Sequence, residues 1–163
     1  MANKPEDDAF KLLSSRKTLV MATADKNGVP SVRYAPFVHH APPLYVYTSP
    51  RSRHTRNMLE TAKASVMFIE DEARTRNFFA RKRFTCQCGA ESVGRETTEW
   101  RTAMSLFRKK FGMVFDMIPP LPDFVLFHLI PDGGLYVSGF GQAFDVGPDM
   151  KNSKHVTGDS RRT

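Results

Sequence analysis

The chain has 163 residues, enough for one domain with its own core and short for two, and its 40% hydrophobic and 25% charged content is that of a folded soluble domain. No apolar run approaches the roughly 20 residues a membrane span needs, and the acidic start MANKPEDDAF has no apolar secretory segment, so the cytoplasm is the expected compartment, with no membrane partner. A net charge of +7 makes nucleic acid a partner to be weighed, yet the cations gather at 51–56, 74–83, 108–110 and 161–162 and form no continuous stripe.

Residues 18–25 (TLVMATAD) read as a buried strand, and 25–28 (DKNG) carry hairpin-turn residues. Residues 31–38 (SVRYAPFV) alternate well enough to be its partner, with Pro36 marking a bulge or an edge, and 44–49 (LYVYTS) are a third strand. From Arg51 the period changes. Met58, Leu59 and Ala62 share a helical face, so 52–63 is predicted as a short helix with Arg53, His54 and Arg56 in its first turns. Cations there oppose the helix dipole, a cost that an anion bound at the helix start offsets.

Residues 64–70 are a strand, 71–82 (DEARTRNFFARK) a connector with one or two helical turns, and 83–93 a long strand. The clearest helix is 97–111: Trp100, Met104, Phe107 and Phe111 share a face, Thr97 can cap it, and Arg108, Lys109, Lys110 and then Gly112 close it. Past the prolines of IPPLPDF, the runs 124–131 and 134–146 flank Asp132-Gly133-Gly134, which reads as a hairpin turn. From Gly147 the chain turns polar and loses periodicity, which divides it into a domain at 1–146 and a mobile tail at 147–163. Six or seven closely spaced strands with two helices of any length predict a mainly β fold, an antiparallel barrel with flanking helices.

Cys86 and Cys88 are spaced C-x-C on one strand, too extended for an ordinary disulfide and too few for zinc, so two reduced strand thiols are expected. His39 and His40 fall at a strand end and read as loop residues, while His128, alternating with Phe127 and Leu129, reads as structural. Gly134, Gly139 and Gly141 lie on strands, where they permit bending or close backbone approach and make no phosphate loop. No nucleophile beside a base is evident, so any chemistry is expected to come from a cofactor.

The segment GVPSVRYAPF followed by LYVYTSPRSRHTRNM resembles the pyridoxamine-5′-phosphate-oxidase-like FMN-binding split barrels. Pro30-Ser31-x-Arg33, Tyr47-Thr48 and Ser52-Arg53-His54 stand where that superfamily shows P-S-x-R, Y-T and S-R-K, with histidine in the place of the lysine and Val38 at a position often basic. The chain is most similar to the haem-utilisation (HugZ-type) branch, through YAPFV at 34–38, R-H-x-R-N at 53–57, I-E-D-E at 69–72, F-A-R-K-R at 79–83 and G-F-G-Q-A at 139–143. The likeness spans about residues 12–146.

The resemblance implies a six-stranded antiparallel split β-barrel acting as a homodimer, with cofactor sites between protomers. It further implies an FMN-dependent oxidoreductase acting on a small molecule, its cofactor held by Arg33, Tyr47, Thr48, Ser52, Arg53, His54 and Asn57, with Lys82 and Arg83 reaching in from the second basic cluster. Guanidinium forks and a helix start suit phosphate. The alternative that the resemblance implies is haem binding or haem-oxygenase-like degradation in the same cleft. There the branch supplies an axial histidine in whose register Arg161 stands, which leaves His155 as the metal ligand with Asp123 nearby. A third reading, nucleic-acid binding through basic residues interleaved with Phe78, Phe79 and Phe84, is disfavoured: no binding signature accompanies it, and those phenylalanines read as core.

Overall fold

Inward-facing apolar residues at every second position close the sheet into a barrel. The computed structural model describes residues 3–40, 43–117 and 123–157. Strands β1 (Thr18–Ala24), β2 (Pro30–His39) and β3 (Leu44–Thr48) precede helix α2 (Arg53–Thr61), and β4 (Lys63–Ile69) and β5 (Arg83–Val93) follow it. Leu19, Met21, Phe37, Val46, Val66, Phe68, Phe84 and Cys86 from these strands pack in one interior with Phe127 and Leu129 of β6 (Val125–Gly139). The strand order is β3-β2-β1-β4-β5-β6, and β3 also pairs with β6, so six antiparallel strands form a closed barrel. β7 (Gln142–Val146) and β8 (Ser153–His155) extend the sheet from the second half of β6.

Two helices flank the barrel where the sequence places them. α2 is nine residues long, and α3 (Thr98–Phe111) is capped by the Thr97 hydroxyl, which accepts from the Trp100 N–H at 3.1 Å. A short turn, α4 (Met113–Asp116), continues α3. The connector forms two brief 3-10 turns, Glu72–Arg74 and Phe78–Ala80. α1 (Pro5–Ser15) has no counterpart in the sequence reading, although its signals are ordinary: proline at the first helical position, then Glu6, Asp7 and Asp8 complementing the dipole.

Three expectations need correction. Asp132-Gly133-Gly134 is no hairpin, because β6 runs through it for 15 residues. Opposite, β5 carries one residue between Cys86 and Cys88 where β6 carries two between Pro131 and Gly134, which is a β-bulge. Glycine is required at 134 for space: a Cβ there would sit 2.6 Å from both the Phe84 ring and the Thr85 carbonyl oxygen. His39 is no loop residue. It ends β2, with the Phe10 ring edge-on at 5.5 Å and Phe37 stacked at 6.4 Å, and burial holds its pKa below the ordinary imidazole value. Finally, part of the polar tail is sheet: β8 pairs with β7, and the Ser153 hydroxyl donates to Glu6 of α1 at 2.5 Å.

Cys86 and Cys88 are both free and both face the interior, where burial pushes the Cys88 thiol up to about 12 and Cys86 higher still. Neither forms a thiolate readily. Among the described residues no helix is long and apolar enough to cross a membrane.

Candidate anion-binding site

Polar burial is concentrated around one helix. Of the six buried polar or charged residues among those described, five (Thr23, Thr48, His54, Thr55 and Asn57) belong to α2 or to the strand residues beside it. The Thr55 hydroxyl lies 2.6 Å from the Ser49 carbonyl and 2.9 Å from the Thr48 hydroxyl. A hydroxyl has one proton, so Thr55 donates to the carbonyl and accepts from Thr48. The Asn57 amide donates to the Thr23 hydroxyl at 3.0 Å. These bonds fix α2 to the end of the barrel. They also commit Thr48 and Asn57 to holding the helix, where the sequence reading gave them to a ligand.

The helix start is left open. Ser52 occupies the N-cap without a side-chain capping bond, and the first turn holds no acidic residue. The leading N–H groups of such a helix seek an acceptor, and the dipole favours an anion there. Arg53 is exposed at this start and lines a polar groove of about 320 Å³ with Asp25, Lys26, Arg56 and Asn57. His54, the next residue, is only 8% exposed. Its Nδ1 is the one buried side-chain polar atom among the described residues that lacks a hydrogen-bond partner. Burial first, and the Arg33 guanidinium second, hold the His54 pKa below its ordinary value. Arg33, an exposed residue of β2, is therefore within electrostatic reach of the imidazole. The site thus gathers Arg33, Ser52, Arg53 and His54.

The remaining predicted residues lie elsewhere. Tyr47 is on the face of β3 opposite Thr48, its ring 5.1 Å from that of Phe124 and 6.3 Å from that of Phe115. Arg83 pairs with Ile69, whereas the α2 end of β5 is marked by Gly89 pairing with Lys63 and by Ala90 N–H donating to Ala62 at 2.9 Å. Six strand residues at about 3.3 Å each put the two ends about 20 Å apart. Lys82 lines a cleft of about 440 Å³ at the far end, with Glu70, Arg74, Arg76, Ser138 and Phe140. Within one chain, then, the two basic clusters do not form one site.

The two haem candidates are separated in the same way. Asp123 is exposed two residues before Val125, the partner of Thr48, and so lies at the α2 end. His155 pairs with Phe144 across from Tyr136 and Phe84, at the Arg83 end, and its Nε2 lies 3.2 Å from the Gly141 carbonyl oxygen. Arg161 lies outside the described residues. Of the three interleaved phenylalanines only Phe84 is core; Phe78 and Phe79 are 68% and 92% exposed.

A second network escaped the sequence reading. His128 Nδ1 lies 2.8 Å from Glu99 and Nε2 lies 3.2 Å from Glu91, while the Tyr45 hydroxyl donates to Glu99 at 3.0 Å. Alternation alone shows that His128 faces away from Phe127, but only the register reveals that Tyr45, His128 and Glu91 share one rung.

Comparison with known proteins adds a consistent frame. The family model for pyridoxamine 5′-phosphate oxidase matches residues 5–138. A Vibrio cholerae protein named heme oxygenase HutZ is 40% identical over 154 residues, which cover 94% of this chain and 86% of that protein. The crystal structure of V. cholerae HutZ, described there as a heme storage protein, superposes with a TM-score of 0.76 at 38% identity, covering 83% of this chain and 95% of the other. Campylobacter jejuni ChuZ superposes with a TM-score of 0.85 at 28% identity, covering all of this chain and 67% of that one.

Proposed function

The chain belongs to the pyridoxamine 5′-phosphate-oxidase-like split-barrel family, close to its haem-utilisation branch, and from that premise we propose that it binds haem, with haem-oxygenase-type degradation as its activity. Identity of 40% along nearly the whole chain to a protein named for heme oxygenation is what supports haem over the flavin that the first motifs suggested. FMN now rests on the family name alone.

The residues at the α2 end fit the acid groups of such a ligand. Haem carries two propionates, and an open helix start beside Arg33 and Arg53 offers donors and charge for carboxylate oxygens. When bound, haem supplies iron-centred oxygen chemistry that the side chains cannot. The protein's part is to orient the macrocycle through its carboxylates and to keep α2 rigid through Thr55 and Asn57. Asp123 and the His155 edge lie at opposite ends of one chain, so we assign the completed site to a homodimer in which a second copy brings its Arg83 and His155 end to this α2.

Hemin titration tests the reading. A saturable Soret band at one haem per chain is expected, weakened about tenfold or more in Arg53→Ala, the loss typical of a charge-assisted hydrogen bond. Quenching of FMN fluorescence by the wild type with no Soret band on hemin addition would return the assignment to flavin.

A further inference from the structure

We propose that the cleft at the Lys82 end of the barrel binds single-stranded nucleic acid without sequence preference, with phosphates on Arg74, Arg76 and Lys82 and bases stacked on Phe78, Phe79 and Phe140. Neither Arg83 nor His155, which serve the haem reading, lines this cleft.

Nucleic acid was set aside in part because the interleaved phenylalanines read as core, and the structure removes that ground. Phe84 is core, but Phe79 is 92% exposed, which leaves almost the whole ring in water. The 3-10 turn Phe78–Ala80 that carries it is fixed from both sides. The Phe79 N–H donates to Asn77 Oδ1 at 3.0 Å. Arg81, the next residue, donates to the Glu70 carbonyl at 2.7 Å and reaches Glu72 at 3.1 Å. Phe140, 82% exposed, lines the cleft from the two-residue turn between β6 and β7, where Gly141 takes φ +69. Two fixed elements thus hold three rings toward water beside one cleft, and such rings are platforms for bases.

The charge of the cleft points the same way. Asp71 and Glu72 are met by Arg16 and Arg81 at 2.9 and 3.1 Å. Arg74, Arg76 and Lys82 line the cleft without a carboxylate partner among the described residues, against one lining acid, Glu70. A cleft of about 440 Å³ is of small-ligand size, and the rings of Phe78 and Phe79 lie beyond its lining, so the surface suits several bases and not one free nucleotide. The cations line a concavity, whereas a lipid surface is met by a convex one. No base-reading motif is needed, because every base has a face to stack.

Fluorescence anisotropy of a labelled oligothymidylate of about 12 nucleotides tests the site. Affinity should fall with salt at a log–log slope of about −2, the value for three phosphate contacts on a single strand. Arg76→Ala should make that slope shallower by about 0.7. Phe79→Ala should weaken binding about fivefold or more and leave the slope unchanged. Both side chains are exposed, so both variants should melt like the wild type. Lys109→Ala, which removes an exposed cation of α3, should bind as the wild type does. Absence of binding at about 50 mM salt overturns the proposal outright. Equal binding by the wild type, Arg76→Ala and Phe79→Ala would also overturn it, leaving attraction to net charge only. So would a Phe79→Ala protein that turns from dimer to monomer in sizing, which assigns the rings to a second copy. Phe79-dependent binding to phosphatidylglycerol vesicles without oligonucleotide binding would assign them to a lipid surface instead. Saturating hemin should leave oligonucleotide affinity unchanged, and displacement by hemin would make this cleft the haem site. Absence of a Soret band removes haem alone, and the oligonucleotide result still decides the cleft.

Discussion

His128 Nδ1 lies 2.8 Å from the Glu99 carboxylate, and through that contact the first turn of α3 is tied to the outer face of β6. Glu91 approaches the other ring nitrogen at 3.2 Å. A neutral imidazole has one N–H, so both contacts are hydrogen bonds only when the ring is protonated. His128→Ala should therefore lower stability by about 1 kcal/mol or slightly more, since both carboxylates keep some access to water. In a double-mutant cycle with Glu99→Gln the two losses should fail to add. Additive losses in urea titrations would show that the two residues act independently.

Asn57→Ala should cost about 1–3 kcal/mol, because it leaves the buried Thr23 hydroxyl without its amide donor. The same change loosens α2, so hemin affinity should fall although Asn57 is not assigned to the ligand. A drop in melting temperature with unchanged hemin affinity would separate helix anchoring from binding.

Acid should weaken the fold in two windows. His39 and His54 have folded pKa values below their ordinary 6.5, so between the two values the unfolded chain binds more protons and stability rises with pH. Their contribution is complete above about 6.5 and is lost as pH falls through the folded values. Glu6, bonded to Ser153, and Glu99, bonded to His128 and Tyr45, are held below 4.5, so their contribution is lost only in stronger acid. Urea midpoints measured from pH 8 to 5 should decline, and His54→Gln should flatten that decline. Equal slopes in both proteins would remove His54 from the account.

Gly134→Ala should destabilise the barrel by about 1–3 kcal/mol, the range for an overpacked interior, since the new Cβ meets a backbone carbonyl that cannot swing aside. Gly139→Ala has only ordinary contacts, at 3.9 Å or more, and serves as the control. Similar melting temperatures for the two variants would contradict the close approach at Gly134.

The barrel strands were legible because their inward positions alternate, and α3 because its apolar face and Thr97 cap are strong local signals. The same locality misled at Asp132-Gly133-Gly134. A turn and a bulge both use aspartate and glycine, and only the partner strand, one residue shorter there, distinguishes them. At the candidate site, Arg33, Arg53 and His54 were found by motif. The motif did not show that Thr48 and Asn57 spend their hydrogen bonds on Thr55 and Thr23, because that depends on how α2 seats on the barrel end. Lys82 and Arg83 were joined to the site by the resemblance and by their charge, and sheet register places them at the other end of the same chain.

The pairing of β3 with β6 has a kinetic meaning. Their strands begin at Leu44 and Val125, so the barrel closes only after most of the chain has been made. Until then the edge of β3 is an open ladder, the kind of surface on which strands of other chains add. The Ser153–Glu6 bond spans 147 residues and comes later still. Contacts so distant in sequence slow folding. Refolding should therefore be slow and sensitive to protein concentration, and chains truncated before β6 should accumulate as aggregates.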